Sequence, residues 1–202
     1  MSNEGLWEQL EKLDRANTAQ RAKCEYLSDE EHYIIQLLST EYIVDLSYRK
    51  IYSCHEDSTG KPATFLEELC LLAYLIHAKN IPLAQKLVKA EALPGGQFFF
   101  RGLHRLPTDK LEKAFGACPE ALLEISDKFK AQKCEFGDAS ISLYILPRLP
   151  LNIVIWRGCE EFDARASVLF DQTAASHMPL DALLASVNLA VDALVKASAN
   201  TI

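Results

Sequence analysis

The sequence predicts an α+β fold in which a mixed or antiparallel sheet packs against several helices. Segments rich in β-branched and aromatic residues cluster near both ends of the chain, and apolar segments with helical spacing lie between and after them. Strands and helices do not alternate regularly, which disfavours a parallel βαβ arrangement. At 202 residues the chain can bury a core in one domain, so we expect a single compact domain over residues 1–202.

The N-terminal segment, residues 1–28, is predicted to be a helical extension packed on this domain. Leu6, Leu10 and Leu13 recur at helical spacing with polar residues between them. We therefore expect one amphipathic helix over Leu6–Lys23 that covers apolar surface of the domain.

A β-hairpin is predicted next. His32–Leu38 and Glu41–Leu46 are rich in Ile, Val and Tyr and are separated by two residues. Arg49–Tyr52 is expected to add a third strand. The polar stretch Ser53–Pro62 is predicted to be a mobile loop because it contains a glycine and a proline among charged residues.

The clearest predicted helix is Thr64–His77, because Thr64 and Glu67 have the spacing of a capping box and a broad apolar face follows. A C-terminal helix is predicted over Pro179–Lys196, where leucine and valine recur at helical spacing. The remaining helices are expected at Leu83–Lys89, Leu106–Phe115 and Pro119–Lys130.

Three further strands are predicted in the second half of the chain. The consecutive phenylalanines of Gln97–Phe100 indicate a strand buried on both faces. Lys133–Leu146 is interrupted at Gly137, which indicates a bulge or a hairpin turn. Polar and apolar residues alternate in Ser140–Tyr144, so one side of this strand is expected to face solvent or a pocket. Leu151–Trp156 should be a central strand.

The densest chemistry lies in Leu146–Asp171, where the loop between two apolar runs contains an arginine, a thiol and three carboxylates. Paired carboxylates can divide acid and base roles or bind a cation. Adjacent residues of an extended chain point to opposite faces, however, so Glu160 and Glu161 are not expected to act on one atom. A solvated turn is the alternative.

Cys159 in this loop and His177 after it are further candidates for chemistry. Cys159 would be a nucleophile only if Arg157 lowered its pKa, and the neighbouring acids oppose that effect. His177, just before the last helix, is a candidate axial ligand or else a turn residue. We expect a cofactor pocket formed by Trp156, Arg157, Cys159, Glu160, Glu161, Asp171 and His177.

Composition excludes several classes of function. The net charge is −7, and the 21 Lys and Arg residues are dispersed, so nucleic acid is not an expected partner. Neither a signal-peptide pattern nor an apolar run of membrane-spanning length is visible, so we expect a cytoplasmic protein without a membrane contact. The six cysteines have no CxxC spacing and are expected to be free thiols. The common nucleotide, protease, hydrolase and calcium motifs are missing.

The segment PRLPLNIVIWRGCEEFDARASVLFDQTAASHMPLDALLA resembles the C-terminal signature of the domain of unknown function 3786 family. The resemblance extends to EYIVDLSYRKI, LCLLAYLIHA and PGGQFFFRGL. This uncharacterised family is found mainly in anaerobic bacteria and archaea, and some relatives carry an additional iron–sulfur domain like that of corrinoid iron–sulfur proteins. Its loop more usually has an aspartate where this chain has Cys159. The resemblance implies an association with anaerobic redox or corrinoid metabolism.

From the resemblance and the expected pocket, we expect an accessory or carrier protein that binds a tetrapyrrole such as a corrinoid or haem. The alternative is a non-catalytic interaction module that docks to a redox enzyme or maturation factor through an acidic face. A third hypothesis is a small enzyme that uses Glu161 as acid or base, but no complete catalytic constellation accompanies this residue.

Overall fold

The computed structural model describes residues 3–54 and 60–199. In this part of the chain all strand pairs are antiparallel and form two sheets, and the helices share one hydrophobic core with both sheets. The predicted α+β class is therefore confirmed. Residues 55–59 of the predicted mobile loop lie outside the described residues.

The first sheet is built from four strands that follow one another in sequence and pair in that order. The predicted hairpin is confirmed, with its turn at Leu38 and Ser39, where Leu38 has a left-handed backbone (φ 54°). Ile34 lies opposite Ile43 across this hairpin. The strands are β1 (Glu25–Leu27), β2 (His32–Leu37), β3 (Thr40–Asp45) and β4 (Lys50–Ser53).

The second sheet contains five strands, and the predicted strand Leu151–Trp156 lies at its centre. Side chains on one face, such as Ile141 and Ile153, belong to the hydrophobic core, whereas Ser142 and Tyr144 lie on the opposite face. The strands are β5 (Leu87–Lys89), β6 (Gln132–Cys134), β7 (Ala139–Leu146), β8 (Leu149–Trp156) and β9 (Arg165–Asp171), and their order in the sheet is β5, β9, β8, β7, β6.

The helices cover the core faces of the sheets. Thr64 accepts a hydrogen bond from the Glu67 amide and Glu67 accepts one from the Thr64 amide, which confirms the predicted capping box. The α-helices are α1 (Glu4–Glu11), α2 (Arg15–Ala22), α3 (Phe65–His77), α4 (Gly96–Phe99), α5 (Thr108–Phe115), α6 (Glu120–Glu124), α7 (Ala174–His177) and α8 (Leu180–Ala199), and short 3₁₀ turns occur at Ala90–Ala92, Gly102–His104 and Ser126–Phe129.

Helix α3 joins the two halves of the molecule, because it packs on α8 and is itself covered by α1 and α2. Its residues from Cys70 to Leu75 are all buried. Within the described residues α8 is the one helix with the length and composition to cross a membrane, a property that buried core helices share. Leu183, Val187 and Leu194 of α8 are buried in the core.

The N-terminal prediction is wrong in two details. The expected single helix is two helices, because the Asp14 side chain accepts a hydrogen bond from the Asn17 amide (2.7 Å) and starts a new helix. Arg15 caps the end of the preceding helix by donating to the Glu11 carbonyl (2.8 Å). The helical part of the extension also ends at Ala22, since Glu25–Leu27 forms β1.

Two predicted elements in the middle of the chain are also wrong. Leu83–Lys89 is not a helix, because pairing with β9 draws its last three residues into β5. Gln97–Phe100 is not a strand: its first three residues lie in α4, which begins after Gly95 in a left-handed conformation (φ 76°). Of the two alternatives predicted at Gly137, a bulge or a hairpin turn, the structure has the hairpin turn, with Gly137 at φ 60° between β6 and β7.

Candidate ligand-binding cleft

The expected pocket around His177 is not formed, because its members lie at opposite ends of two strands. β8 and β9 are antiparallel, with Trp156 opposite Arg165. Asp171 is the last residue of β9, at its far end, and His177 follows after it. At about 3.3 Å per residue, its seven residues separate the two groups by about 20 Å. The structure therefore does not bring these two groups together.

His177 is completely buried in the core. Its Nδ1 accepts a hydrogen bond from the Lys79 amide (3.3 Å), while its Nε2 has no partner among the described residues. Burial lowers the pKa of His177, and the positive charges of Arg148 and Lys79 lower it further against the opposing effect of Asp171. At neutral pH His177 is an uncharged imidazole that holds the chain after α3.

Asp171 organises a neighbouring turn. Its Oδ1 accepts hydrogen bonds from the Thr173 hydroxyl (2.6 Å), the Thr173 amide (2.9 Å) and the Ala84 amide (3.1 Å). Burial raises the pKa of this carboxyl, but the hydrogen bonds outweigh burial and leave the pKa below its usual value. All these partners stabilise local backbone, so Asp171 has a structural position rather than a place in a pocket.

The loop after β8 is fixed at its base by Arg157. The Arg157 side chain donates to the Ala117 carbonyl (2.8 Å) and forms an ion pair with Glu120, and its amide donates to Asp138 (2.7 Å). A hydrogen bond from the Glu120 backbone amide to the Glu120 carboxylate, together with the Arg157 guanidinium, holds the pKa of Glu120 below its usual range. The neighbouring Trp156 is exposed. Arg157 thus ties the loop to the start of α6.

The rest of this loop is a solvated turn. Cys159, Glu160, Glu161 and Asp163 are all exposed, and within the described residues none of these carboxylates forms an ion pair. The Cys159 amide donates to the Phe162 carbonyl (2.8 Å), which closes the turn. This geometry matches the alternative considered for Glu160 and Glu161, and it brings no base to Cys159.

A cleft of about 910 Å³ lies between the two sheets, and we call it the inter-sheet cleft. One end of the cleft is closed where the Leu38 amide donates to the Ile145 carbonyl (2.7 Å). Its apolar lining includes Ile34, Phe129 and Leu146, and its exposed polar lining includes Gln20, Lys23, Gln36, Glu41 and Lys130.

Left-handed backbone conformations shape three corners of the inter-sheet cleft. Lys23 (φ 53°) ends α2, Lys130 (φ 51°) ends a 3₁₀ turn, and Leu38 (φ 54°) lies in the β2–β3 turn. This conformation is common at helix ends but is an outlier for a bulky apolar residue such as Leu38. At Leu38 the tight two-residue turn between β2 and β3 requires this conformation.

The chemistry of the lining argues against a metal centre in the inter-sheet cleft. Cys24 is its one thiol, and burial raises the Cys24 pKa to about 12, so the thiol stays protonated. The lining contains no histidine or methionine, and the described residues contain no cluster of three metal-ligating side chains. The lining therefore lacks the histidine, methionine or thiolate that usually serves as the axial protein ligand of a haem or corrinoid.

The sequence pattern gave little indication of this cleft, because its lining comes from four separated segments without a shared motif. One indication was present: the alternation in Ser140–Tyr144 predicted a side facing solvent or a pocket, and the exposed Tyr144 does line the cleft. The left-handed backbone conformation of Leu38 could not be predicted from its residue type, because leucine rarely adopts it.

Taken together, the fold and the cleft define an α+β protein with two antiparallel sheets and an open cleft between them. Residues 14–193 match the model of the family described as domain of unknown function DUF3786. The chain belongs to that family, as its sequence motifs predicted. No curated protein and no solved structure gave a match to the chain.

Proposed function

We propose that this protein is an accessory or carrier protein that binds an organic cofactor in the inter-sheet cleft. The cleft itself is the observation that supports the proposal. Its volume of about 910 Å³ falls within the range of about 300–1,000 Å³ that is usual for small-molecule sites. The lining combines apolar side chains with lysine, glutamate and glutamine side chains, so it offers a ligand both apolar contact and polar groups.

The lining favours a flat, largely apolar ligand with polar groups at its edge. Phe129 and Tyr144 offer aromatic surface to a planar framework. Lys23 and Lys130 can donate to carboxylates of the ligand, and the Gln36 amide can both donate and accept. A tetrapyrrole framework has this chemistry, so it is our leading ligand class, bound through its organic part rather than through a metal.

No catalytic role is included in the proposal. The cleft lacks a nucleophile beside a base in its described lining, and the Cys24 thiol is protonated at neutral pH because burial raises its pKa. The place in anaerobic redox metabolism that the family resemblance implies remains a prediction. An accessory or carrier protein needs only a site that holds and releases its ligand, and the partly open cleft suits that task.

The proposal can be tested by titrating metal-free protoporphyrin IX, haem and a corrinoid into the protein and following absorbance and fluorescence. Ile34 and Ile43 are opposite one another, and both are half-buried, but only Ile34 lines the cleft. Ile34→Trp should fill the cleft and weaken binding about tenfold or more, which corresponds to about 1.4 kcal/mol. Ile43→Trp is the matched control and should bind as the wild type does.

The same titration separates the inter-sheet cleft from the earlier axial-ligand hypothesis. His177→Asn should leave haem affinity and the haem spectrum unchanged, because His177 is completely buried and does not line the cleft. Metal-free protoporphyrin should bind about as well as haem. A haem spectrum that changes in His177→Asn, or equal binding by Ile34→Trp and wild type, would contradict the proposal.

A further inference from the structure

The segment Gln97–Arg105, which we call the basic segment, exposes large apolar side chains among cations. Phe98 is 74% exposed and Leu103 is 101% exposed. Arg101 and Arg105 are also exposed, and no carboxylate occurs between Ala92 and Thr108. Apolar side chains displayed this openly beside charged ones are typical of interaction surfaces.

The basic segment is held rigidly rather than extended freely into solvent. Phe100 is buried, and its ring centroid lies 6.5 Å from that of Phe170 in β9. Phe99 packs edge-on against Phe100 and stacks on His104 at 4.6 Å. The Arg101 guanidinium lies 6.0 Å from the Phe98 ring centroid. A preorganised surface loses little conformational entropy on binding.

A surface of opposite charge lies elsewhere on the same chain. Cys159–Asp163, which we call the acidic loop, contains three exposed carboxylates and Phe162, which is 70% exposed. It too is preorganised, because the Gly158 amide donates to the Gly116 carbonyl (3.1 Å). A Cβ on Gly116 would lie 2.3 Å from the Ala164 Cβ, so this close approach requires glycine.

The two surfaces flank one short helix. The basic segment ends three residues before α5 begins at Thr108, and the two residues that flank the acidic loop, Gly158 and Ala164, lie against Gly116 directly after α5 ends. Eight helical residues span about 12 Å, and among the described residues no hydrogen bond or ion pair joins the two surfaces within one chain. If a second copy lies antiparallel to the first along α5, each basic segment meets the other copy's acidic loop.

We propose that this face is a self-association surface whose occupant is a second copy of this chain. In a two-fold dimer each basic segment contacts the acidic loop of the other copy, so this contact occurs twice. Phe98, Leu103 and Phe162 therefore contribute six apolar side chains in total. At about 150 Å² each, they bury about 900 Å², which is typical of a weak, reversible dimer. An anionic membrane suits this face less well, because the whole chain carries a net charge of −7.

Sedimentation velocity over a concentration series tests the proposal with two charge-reversal variants. Arg101→Glu with Arg105→Glu makes both surfaces acidic, and Glu160→Lys with Glu161→Lys makes both basic. Each double variant alone should self-associate about tenfold more weakly than wild type, because its contacts become repulsive. A mixture of the two should form a heterodimer. High salt should weaken the wild-type dimer.

The control is a charge reversal at two exposed lysines that lie outside both surfaces. Lys12→Glu with Lys50→Glu changes the net charge as much as the basic-segment reversal does but should leave association unchanged. Circular dichroism verifies that each variant is folded. A wild type that stays monomeric throughout the series, a dimer that tolerates either reversal, or reversed variants that fail to pair on mixing would overturn the proposal. None of these outcomes depends on cofactor binding.

Discussion

At the scale of single residues, burial rather than sequence neighbourhood determines the chemistry of the side chains that looked most reactive. His177 was singled out as a ligand because it precedes a helix, yet it lies within the core against the Lys79 amide. Cys159 lies among charged neighbours but is exposed without a base. Cys24, which drew no attention in the sequence, lines the inter-sheet cleft. The type of each residue is known from the sequence, but the burial and the contacts of its side chain are not.

The lowered pKa of His177 predicts a pH-dependent stability. In the unfolded chain this imidazole takes up a proton near pH 6.5, whereas burial lowers its pKa in the folded chain. The unfolded state therefore binds more protons below about pH 6.5, and the free energy of unfolding falls as the pH drops further. His177→Asn should flatten this dependence because it removes the titrating imidazole. The asparagine side chain can still accept the hydrogen bond from the Lys79 amide.

Urea denaturation between about pH 7.5 and pH 5.5 measures this slope. Partial burial also lowers the pKa of His77, but this side chain is far more exposed than His177. His77→Asn is therefore the control and should keep more of the wild-type slope of unfolding free energy against pH. If His177→Asn showed the full wild-type slope, the buried imidazole would not be the group responsible.

At the scale of elements, the sequence predicted those whose signal is local. The capping box of α3, the periodicity of α8 and the two-residue hairpin between β2 and β3 all follow from neighbouring residues, and the structure confirms them. β5 and α4 were missed because their conformations depend on distant partners. β5 exists through pairing with β9, and α4 is anchored through Phe100 against Phe170.

Arg148, in the turn between β7 and β8, connects elements that are distant in sequence. Its Nε donates to the Arg21 carbonyl at the end of α2 (2.7 Å), and its Nη2 donates to the Asn80 side chain (2.7 Å). A cation at this position satisfies carbonyls at a helix C-terminus. The contact holds the end of α2, where Gln20 and Lys23 line the inter-sheet cleft.

Arg148→Met should therefore lower the free energy of unfolding by about 1.5–3 kcal/mol, the usual range for hydrogen bonds that involve a charged group. The exposed Arg165→Met is the control and should change it by about 0.5 kcal/mol or less. Denaturation midpoints at unchanged m-values provide the comparison. Equal midpoints for the two variants would show that the Arg148 contacts do not stabilise the fold.

At the scale of the whole molecule, the candidate site arises from how the two sheets meet. Its lining combines the end of α2, the β2–β3 hairpin, residues 129–130 and the end of β7. No single segment carries a binding motif, so sequence reasoning favoured the chemically dense loop after β8 instead. We propose instead that this loop is the acidic half of a self-association surface. The α+β class itself was predictable because it depends only on the order of local patterns.

The central claim is that the inter-sheet cleft holds an organic ligand. The most direct measurement is native mass spectrometry, with an absorbance spectrum of the same sample, on wild type, Ile34→Trp and Ile43→Trp purified under anaerobic conditions. We predict one small-molecule adduct per chain on wild type and Ile43→Trp and a loss of that adduct in Ile34→Trp. Chains of bare mass in all three samples, or an adduct that Ile34→Trp retains in full, would contradict the account.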